Sequence, residues 1–428
     1  MAAGDGVDPV SRSVVGSRGG APSRAAAAAA DAADPLASRR DLFVHADDRI
    51  YLDGNSLGRL PVATRARLAA LTAEWGERLV SGWHDWIDAP ARAGDAIAGL
   101  IGARAGEVIA CDSTTVNLFK LVGAALDARP SGGGTLVIDR GNFPTDRYVL
   151  EGIAAQRGLE LRLFDGEPDA ATLPCGRGDV VVLSHVAYSS GALADMPALQ
   201  ATARERGATL IWDLCHSAGA VPVDLRAAGA ELAVGCTYKY LNAGPGAPAY
   251  LYVAAGLQPE LRSPIWGWFG QSDQFAMERD YDPEPSIRRF LAGTPSILGL
   301  AAVEEGARVT AAAGIGALHA KATELTQLIV ALHDAWLAPL GFELASPRDP
   351  ARRGSHVALR HPQAWQVTRA LIDRANVIPD FRGPDSVRLG VAPLYTRHVD
   401  VWDAIDRLRG LVERGEHEDV DPAPGRVT

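Results

Sequence analysis

Cys236-Thr-Tyr-Lys239-Tyr-Leu-Asn242 stands where an apolar run (Glu231–Gly235) stops and a Gly/Pro-rich stretch (Ala243–Pro248) begins. Twenty-six residues earlier, Leu210-Ile-Trp-Asp213-Leu-Cys-His216 ends a second strand-like run on an acid. A lysine at one strand end and an aspartate at another make the pair that pyridoxal phosphate (PLP) requires. The amine forms the Schiff base, and the carboxylate keeps the pyridine nitrogen protonated so that the ring accepts electrons. A lone lysine is ordinarily a solvated surface residue, so the weight rests on what surrounds Lys239.

Outward from these two segments, apolar runs alternate with helical patterns between residues 105 and 255. The strand candidates are Glu107–Ala110, Thr135–Ile138, Leu161–Phe164, Val180–Ser184, Thr209–Trp212, Glu231–Val234 and Tyr250–Val253. Helical patterns fall at Val116–Leu126, Arg147–Gln156 and Ala198–Arg206, each closed by a Gly or Pro stop signal. Runs of β-branched residues without clean alternation imply strands covered on both faces. The expected fold is α/β, a three-layer sandwich with a mostly parallel seven-stranded sheet plus a smaller α+β C-terminal domain. The last strand has no crossover helix before it, which leaves an antiparallel entry open.

From Leu298 the pattern becomes a long helical stretch (Leu298–Ala313, then Ala317–Trp336). Short strands follow at His356–Leu359, Val377–Asp380 and Val387–Gly390, with helices near Pro362–Ala375 and Val399–Val412. The expected organisation is a disordered arm (1–40), then a helical segment (41–100, with a helix at Val62–Trp75) packed on the small domain or a partner. A large cofactor domain (101–297), the small domain (298–416) and a loose tail (417–428) complete it. The arm is rich in Gly, Ser, Arg and the run Ala25–Ala30, which is too short for a signal-peptide core and can be transiently helical.

The 428 residues are 47% hydrophobic and 22% charged, an ordinary globular composition. The net charge of −10 is spread along the chain with no basic block, which argues against nucleic acid. No apolar stretch approaches the roughly 20 residues of a membrane span. Four cysteines without a CxxC pair suit a reducing, cytoplasmic compartment.

Other polar groups fall at strand ends. Asp112-Ser-Thr114-Thr115 opens a helix, offering backbone N–H groups and hydroxyls to a phosphate or, alternatively, serving as a plain N-cap. Gly141-Asn-Phe143-Pro144-Thr145-Asp146 supplies an aromatic to lie over a ring and a polar turn; the alternative is an ordinary Pro-containing turn. Ser184 can bond a ring substituent or the backbone. His216 can orient the acid or the cofactor, or be structural. Cys215-His216 raises a metal, but no further Cys or His stands at ligand spacing, and none is expected. Together these residues gather at the carboxyl ends of successive strands, where such sheets bind ligands.

The chain resembles the kynureninases, members of the aspartate-aminotransferase superfamily (fold type I) of PLP enzymes. The matching segments run in order over residues 41–412: Tyr51-Leu-Asp-Gly-Asn-Ser-Leu-Gly58, Ser113-Thr-Thr-Val-Asn-Leu-Phe-Lys120, Asn142-Phe-Pro-Thr-Asp146, Ser184-His-Val-Ala-Tyr188 and Trp212-Asp-Leu-Cys-His-Ser-Ala-Gly219. Tyr238-Lys-Tyr-Leu-Asn-Ala-Gly-Pro-Gly246, Gly267-Trp-Phe-Gly270, Phe290-Leu-Ala-Gly-Thr-Pro295 and Val387-Arg-Leu-Gly-Val-Ala-Pro-Leu-Tyr395 complete them.

The resemblance implies hydrolysis of L-kynurenine to anthranilate and L-alanine in tryptophan catabolism, with 3-hydroxykynurenine as a second substrate. It makes Lys239 the Schiff-base lysine, Asp213 the partner of the pyridine nitrogen and Tyr238 a proton carrier. Thr114, Thr115, Phe143, Pro144, Thr145, Asp146, Ser184, His216 and Tyr238 would bind cofactor. Trp268 and Thr294 would reach it from the other subunit of a homodimer, and Arg388 would clamp the substrate's carboxylate. Gly293-Thr294 resembles the kynurenine-preferring form. Val80-Ser-Gly-Trp83-His84-Asp-Trp86 matches no family pattern. Rival readings are another fold-type-I lyase or aminotransferase, and a non-catalytic binding protein; the latter would be expected to lose the lysine, the acid or the arginine.

Overall fold

The computed structural model describes residues 21–45, 48–128, 134–277, 280–423 and 425. Seven strands form the central sheet: β1 (Val108–Ala110), β2 (Leu136–Asp139), β3 (Leu161–Phe164), β4 (Val180–Ser184), β5 (Thr209–Asp213), β6 (Leu232–Gly235) and β7 (Tyr250–Val253). Their spatial order is β1-β7-β6-β5-β4-β2-β3. β7 runs antiparallel to both neighbours, and the other pairings are parallel. Val181, Leu183, Leu210 and Trp212 face one core, while Val180, Val182, Ile211 and Leu232 face the other. Both faces are apolar, so these strands read as continuous runs rather than as alternation.

The longer helices are α1 (Arg24–Ala32), α2 (Val62–Arg78), α3 (Ala89–Ala98), α4 (Thr114–Asp127), α5 (Pro144–Arg157), α6 (Met196–Glu205), α7 (Ile297–Ala313), α8 (Ile315–Leu332), α9 (Ala364–Ala375) and α10 (His398–Glu413). Local chemistry sets their ends. Ser113 caps α4 by accepting from Val116 N, and α5 starts on Pro144 and stops at the left-handed Gly158. A second, antiparallel sheet joins β8 (Glu343–Leu344), β9 (His356–Arg360), β10 (Asp380–Arg382) and β11 (Ser386–Gly390) in the order β10-β11-β9-β8. The expected strand Val377–Asp380 is divided. Val377–Ile378 pairs in parallel with Ile50–Tyr51, and Asp380 belongs to β10.

Four expectations are corrected. The segment 41–100 does not simply lie on the small domain: α3 packs on β1 and α7, and α2 on α7. The small domain also begins later than residue 298, because α7 buries Leu300, Val303 and Ala307 in the large-sheet core. The expected disordered arm contains an ordered helix. Alanine has the highest helix propensity, Ser23 accepts from Ala26 N, and Ala27 is small enough to bury against the small-domain core. Residues 1–20 lie outside the described residues. The tail, too, is tied down as far as Asp421, whose carbonyl accepts from Trp365 Nε1 at 2.9 Å. No helix among the described residues is long and apolar enough to cross a membrane.

Asp31 docks α1 on the first turn of α10. Its carboxylate accepts from His398 N at 2.6 Å and Val399 N at 3.0 Å, and lies 3.0 Å from His398 Nδ1. Burial opposes a charged ring, but Asp31 and Glu324 outweigh it and push His398 up to about 9 from 6.5. A raised folded-state value stabilises fully below the unfolded value and is lost as pH rises through the folded one. Stability should therefore fall between pH 6.5 and 9, by something on the order of 3 kcal/mol at most. Urea unfolding at both ends of this window measures it, and Asp31→Asn should flatten the slope. An equally flat profile in the native chain would mean that His398 is neutral in the fold.

Candidate active site

Parallel pairing lines up Ser184 with Asp213, and Asp213 with Val234, so the carboxyl ends of β4, β5 and β6 open into one space. Lys239 follows β6 in a tight turn. The segment Asp53–Gly58 holds that turn from outside, with Gly58 N donating to Tyr238 O at 2.7 Å. A Cβ at Gly58 would collide with Lys239 O and Asn242, so only glycine permits this approach.

The space is a cavity of about 220 Å³. Asp112, Thr114, Thr115, Phe143, Thr145, Asp146, Ser184, Tyr188, Asp213, Cys215, His216, Tyr238 and Lys239 are among its lining residues. Lys239 Nζ is 2.9 Å from His216 Nε2 and 5.9 Å from the centre of the Phe143 ring. Asp213 is nearly buried; its Oδ1 accepts from Cys215 N at 2.8 Å, and Ser184 Oγ lies 3.5 Å from its Oδ2. Burial and the neighbouring Asp213 charge raise Asp146 well above the usual carboxylate range. Its Oδ2 has no protein partner. Burial, then the Lys239 charge, holds His216 well below the usual histidine value, so its ring is neutral. The Cys236 charge, followed by burial, keeps the Tyr238 phenol protonated.

These groups fit PLP by their chemistry. An orphaned carboxylate oxygen and a partner-poor imidazole face a space that also holds an amine and a second carboxylate. The first turn of α4 adds N–H groups of Thr114 and Thr115 that no intrahelical carbonyl can satisfy. Ser113, not Thr114 or Thr115, provides the cap, so the plain N-cap reading belongs to Ser113. Among the described residues no three His, Cys, Asp or Glu side chains are placed to hold a metal ion.

Four expected residues do not line this cavity. Pro144 only starts α5 beside it. Trp268 and Thr294 sit on an exposed face, where Phe269 N bonds Ala292 O at 3.2 Å and draws their two segments together. Arg388 lies one layer back, almost fully buried. Its guanidinium bonds Asp380 through Nε at 2.7 Å and through Nη2, and Nη1 donates to Tyr188 O at 2.5 Å. Trp83 packs on Trp86 and Phe269, and His84 is exposed; neither lines the cavity.

Sequence reasoning passed over Tyr188, whose ring meets Phe143 edge-on at 5.2 Å. It lies in the quoted segment ending at residue 188, four positions past a strand end, where periodicity carries no signal. Cys215 was weighed only as a metal ligand. It instead neighbours Cys236, with Cys236 N 3.2 Å from its sulfur.

The kynureninase C-terminal domain profile matches residues 318–408, from α8 into α10. Kynureninase from Pseudomonas fluorescens is 46% identical over 394 residues, covering 90% of this chain and 94% of that protein. The chain belongs to the kynureninase family. Kynureninase from Burkholderia pseudomallei (strain K96243) is 45% identical over 401 residues, covering 91% and 95%. Among solved structures, an apo cysteine desulfurase from Thermococcus onnurineus superposes with a TM-score of 0.75 at 19% identity, covering 88% of this chain and 98% of that one. A C-DES variant with glycine covalently linked to its PLP cofactor reaches 0.76 at 16% identity, covering 86% and 98%. At these identities the likeness is one of fold.

Proposed function

We propose that this kynureninase-family chain hydrolyses L-kynurenine to anthranilate and L-alanine, using PLP carried on Lys239. The observation that carries this reading is the opening of Lys239 Nζ and the Asp213 carboxylate into one cavity at the ends of neighbouring strands. When bound, PLP supplies a cationic ring that withdraws electrons from the substrate's α-carbon. Asp213 would hold the proton on the ring nitrogen, Phe143 would lie beside the ring, and the first turn of α4 with Thr114 and Thr115 would hold the phosphate. Lys239, which would carry the cofactor, takes the substrate's α-proton and returns it, with His216 Nε2 2.9 Å from its Nζ. The protonated Tyr238 is the second proton donor.

Arg388 binds the substrate carboxylate by exchanging its bond to the Tyr188 carbonyl. Burial lowers it only to about 10, so it stays cationic at neutral pH. A desulfurase reading needs a nucleophilic cysteine late in the chain, and the last cysteine, Cys236, is buried beside Lys239. The four free cysteines suit action in the cytoplasm. The direct test is anthranilate fluorescence on adding L-kynurenine to PLP-loaded protein; no anthranilate would overturn the reading. Gly293-Thr294 offers no side-chain amide for a ring hydroxyl, so kcat/KM should be higher for L-kynurenine than for 3-hydroxykynurenine. A reversed preference would move the specificity determinant elsewhere.

The working unit is proposed to be a homodimer in which Trp268 and Thr294 complete the neighbour's site. Support comes from their exposure away from their own cavity and from the apolar surface around them. Phe275, whose ring meets Trp268 edge-on at 6.2 Å, and Leu298, four residues past Thr294, are exposed. Mixing Lys239→Ala chains with Trp268→Ala chains should restore about a quarter of native activity under random pairing. Each hybrid rebuilds one site from an intact lysine and an intact tryptophan. No recovery in verified hybrids would remove Trp268 from the partner's site.

A further inference from the structure

We propose that His356 is a positioning residue for Lys239, accepting a hydrogen bond from Nδ1–H of His216 and thereby fixing the tautomer whose Nε2 receives the lysine's N–H. The inference rests on the reading of Lys239 as the cofactor lysine and extends the site into the C-terminal sheet. His356 opens β9, is wholly buried, and makes no hydrogen bond of normal geometry through either ring nitrogen. His216 Nδ1 is likewise buried and unpartnered. The two rings face each other with centroids 5.4 Å apart and planes tilted by 52°. An orphaned buried polar group is costly, because it has given up its hydrogen bonds to water. A turn of either ring within that separation would pair one nitrogen of each and remove two such costs.

The direction of the chain is set at the lysine, whose ammonium can only donate, so Lys239 Nζ gives its N–H to His216 Nε2. His216 must then carry its proton on Nδ1, which leaves Nε2 free to accept from Lys239 at 2.9 Å. Both rings are kept neutral. Burial, then Lys239, His356, Arg388 and Arg382, lowers His216; burial, Arg388 and Lys239 lower His356 to about 3. Neutral imidazoles have one donor and one acceptor each, as this chain needs. Gly191 makes the approach possible: at φ +72 its backbone lies directly on His356, where a Cβ would meet the His356 carbonyl.

The test uses the cofactor-free full chain labelled with ¹⁵N-histidine, with His216 assigned by the signal that His216→Gln removes. In the native chain, Nδ1 of His216 should give the protonated signal and Nε2 the unprotonated one. His356→Leu should reverse or mix this tautomer. His356→Gln, whose amide both accepts and donates, should keep it. In PLP-loaded protein, His356→Leu should lower kcat about tenfold with KM nearly unchanged, and His356→Gln should recover most of the loss. Should His356→Leu not fold, His356→Asn, with an amide too short to reach His216, replaces it. A native His216 protonated on Nε2 would overturn the proposal. So would a tautomer unchanged in a folded His356→Leu or His356→Asn chain. The nitrogen signals need no substrate, so they separate failure of this inference from failure of the proposed reaction.

Discussion

Lys239→Ala should abolish turnover of L-kynurenine, by at least about 10⁴-fold, and remove the visible absorbance of lysine-bound PLP. The size of the effect follows from how few amines the chain holds. It has three lysines, Lys120, Lys239 and Lys321. Lys120 is fully buried on α4, 2.5 Å from Asp112 and 2.6 Å from Phe290 O. Lys321 is bound to Asp34 at 2.6 Å within the small-domain half. Lys120 cannot swing over without giving up Phe290 O, nor Lys321 without leaving the buried carboxylate of Asp34 unpaired, a change that costs several kcal/mol. Added small amines should restore part of the rate if the lysine's role is to move a proton, because they fit the space the side chain vacates. A visible band and native turnover in the purified variant would remove Lys239 from the chemistry.

The strands of the large sheet were legible because burial on both faces imposes continuous apolar runs, and two of these runs end on a polar residue at the cavity, Ser184 and Asp213. Asp213 and Lys239 could be read for the same reason: each closes a run whose direction the parallel order fixes. What stayed hidden depends on distance along the chain or on small side chains. His216 and His356 are 140 residues apart, and no local pattern joins β5 to β9. The ion pair that Arg388 makes with Asp380 follows from the β10–β11 register, which the sequence does not disclose in advance. The helix α1 was legible only as a transient one, because composition counts large apolar residues. Its docking instead uses alanines, one carboxylate, and the Pro22 carbonyl accepting from Trp402 Nε1 at 2.8 Å. Trp268 and Thr294 lie outside the local cavity, and a single chain does not display the partner site to which the proposed dimer would assign them.

Asp213→Asn should leave PLP bound but lower kcat by about 10² to 10³-fold, the scale of removing one preorganised electrostatic partner, roughly 2.7–4 kcal/mol. The substitution is close to isosteric. Its carbonyl oxygen can still accept from Cys215 N, the bond that now fixes the side chain at 2.8 Å, so the strand end should keep its shape. What disappears is the negative charge that holds a proton on the pyridine nitrogen, and with it the ring's capacity to take electrons from the α-carbon. Asp146 cannot take over that role at native geometry. It is almost wholly buried, and burial is the largest cause that pushes its carboxyl well above the usual carboxylate range, with the Asp213 charge second. Removing that charge relaxes the second cause and leaves the first, so Asp146 should ionise more readily in the variant without matching Asp213. Asp146→Asn on top of Asp213→Asn should then lower kcat again. Measuring kcat and the PLP content of both variants separates loss of chemistry from loss of cofactor, and a near-native rate in Asp213→Asn would mean that this carboxylate does not face the ring nitrogen.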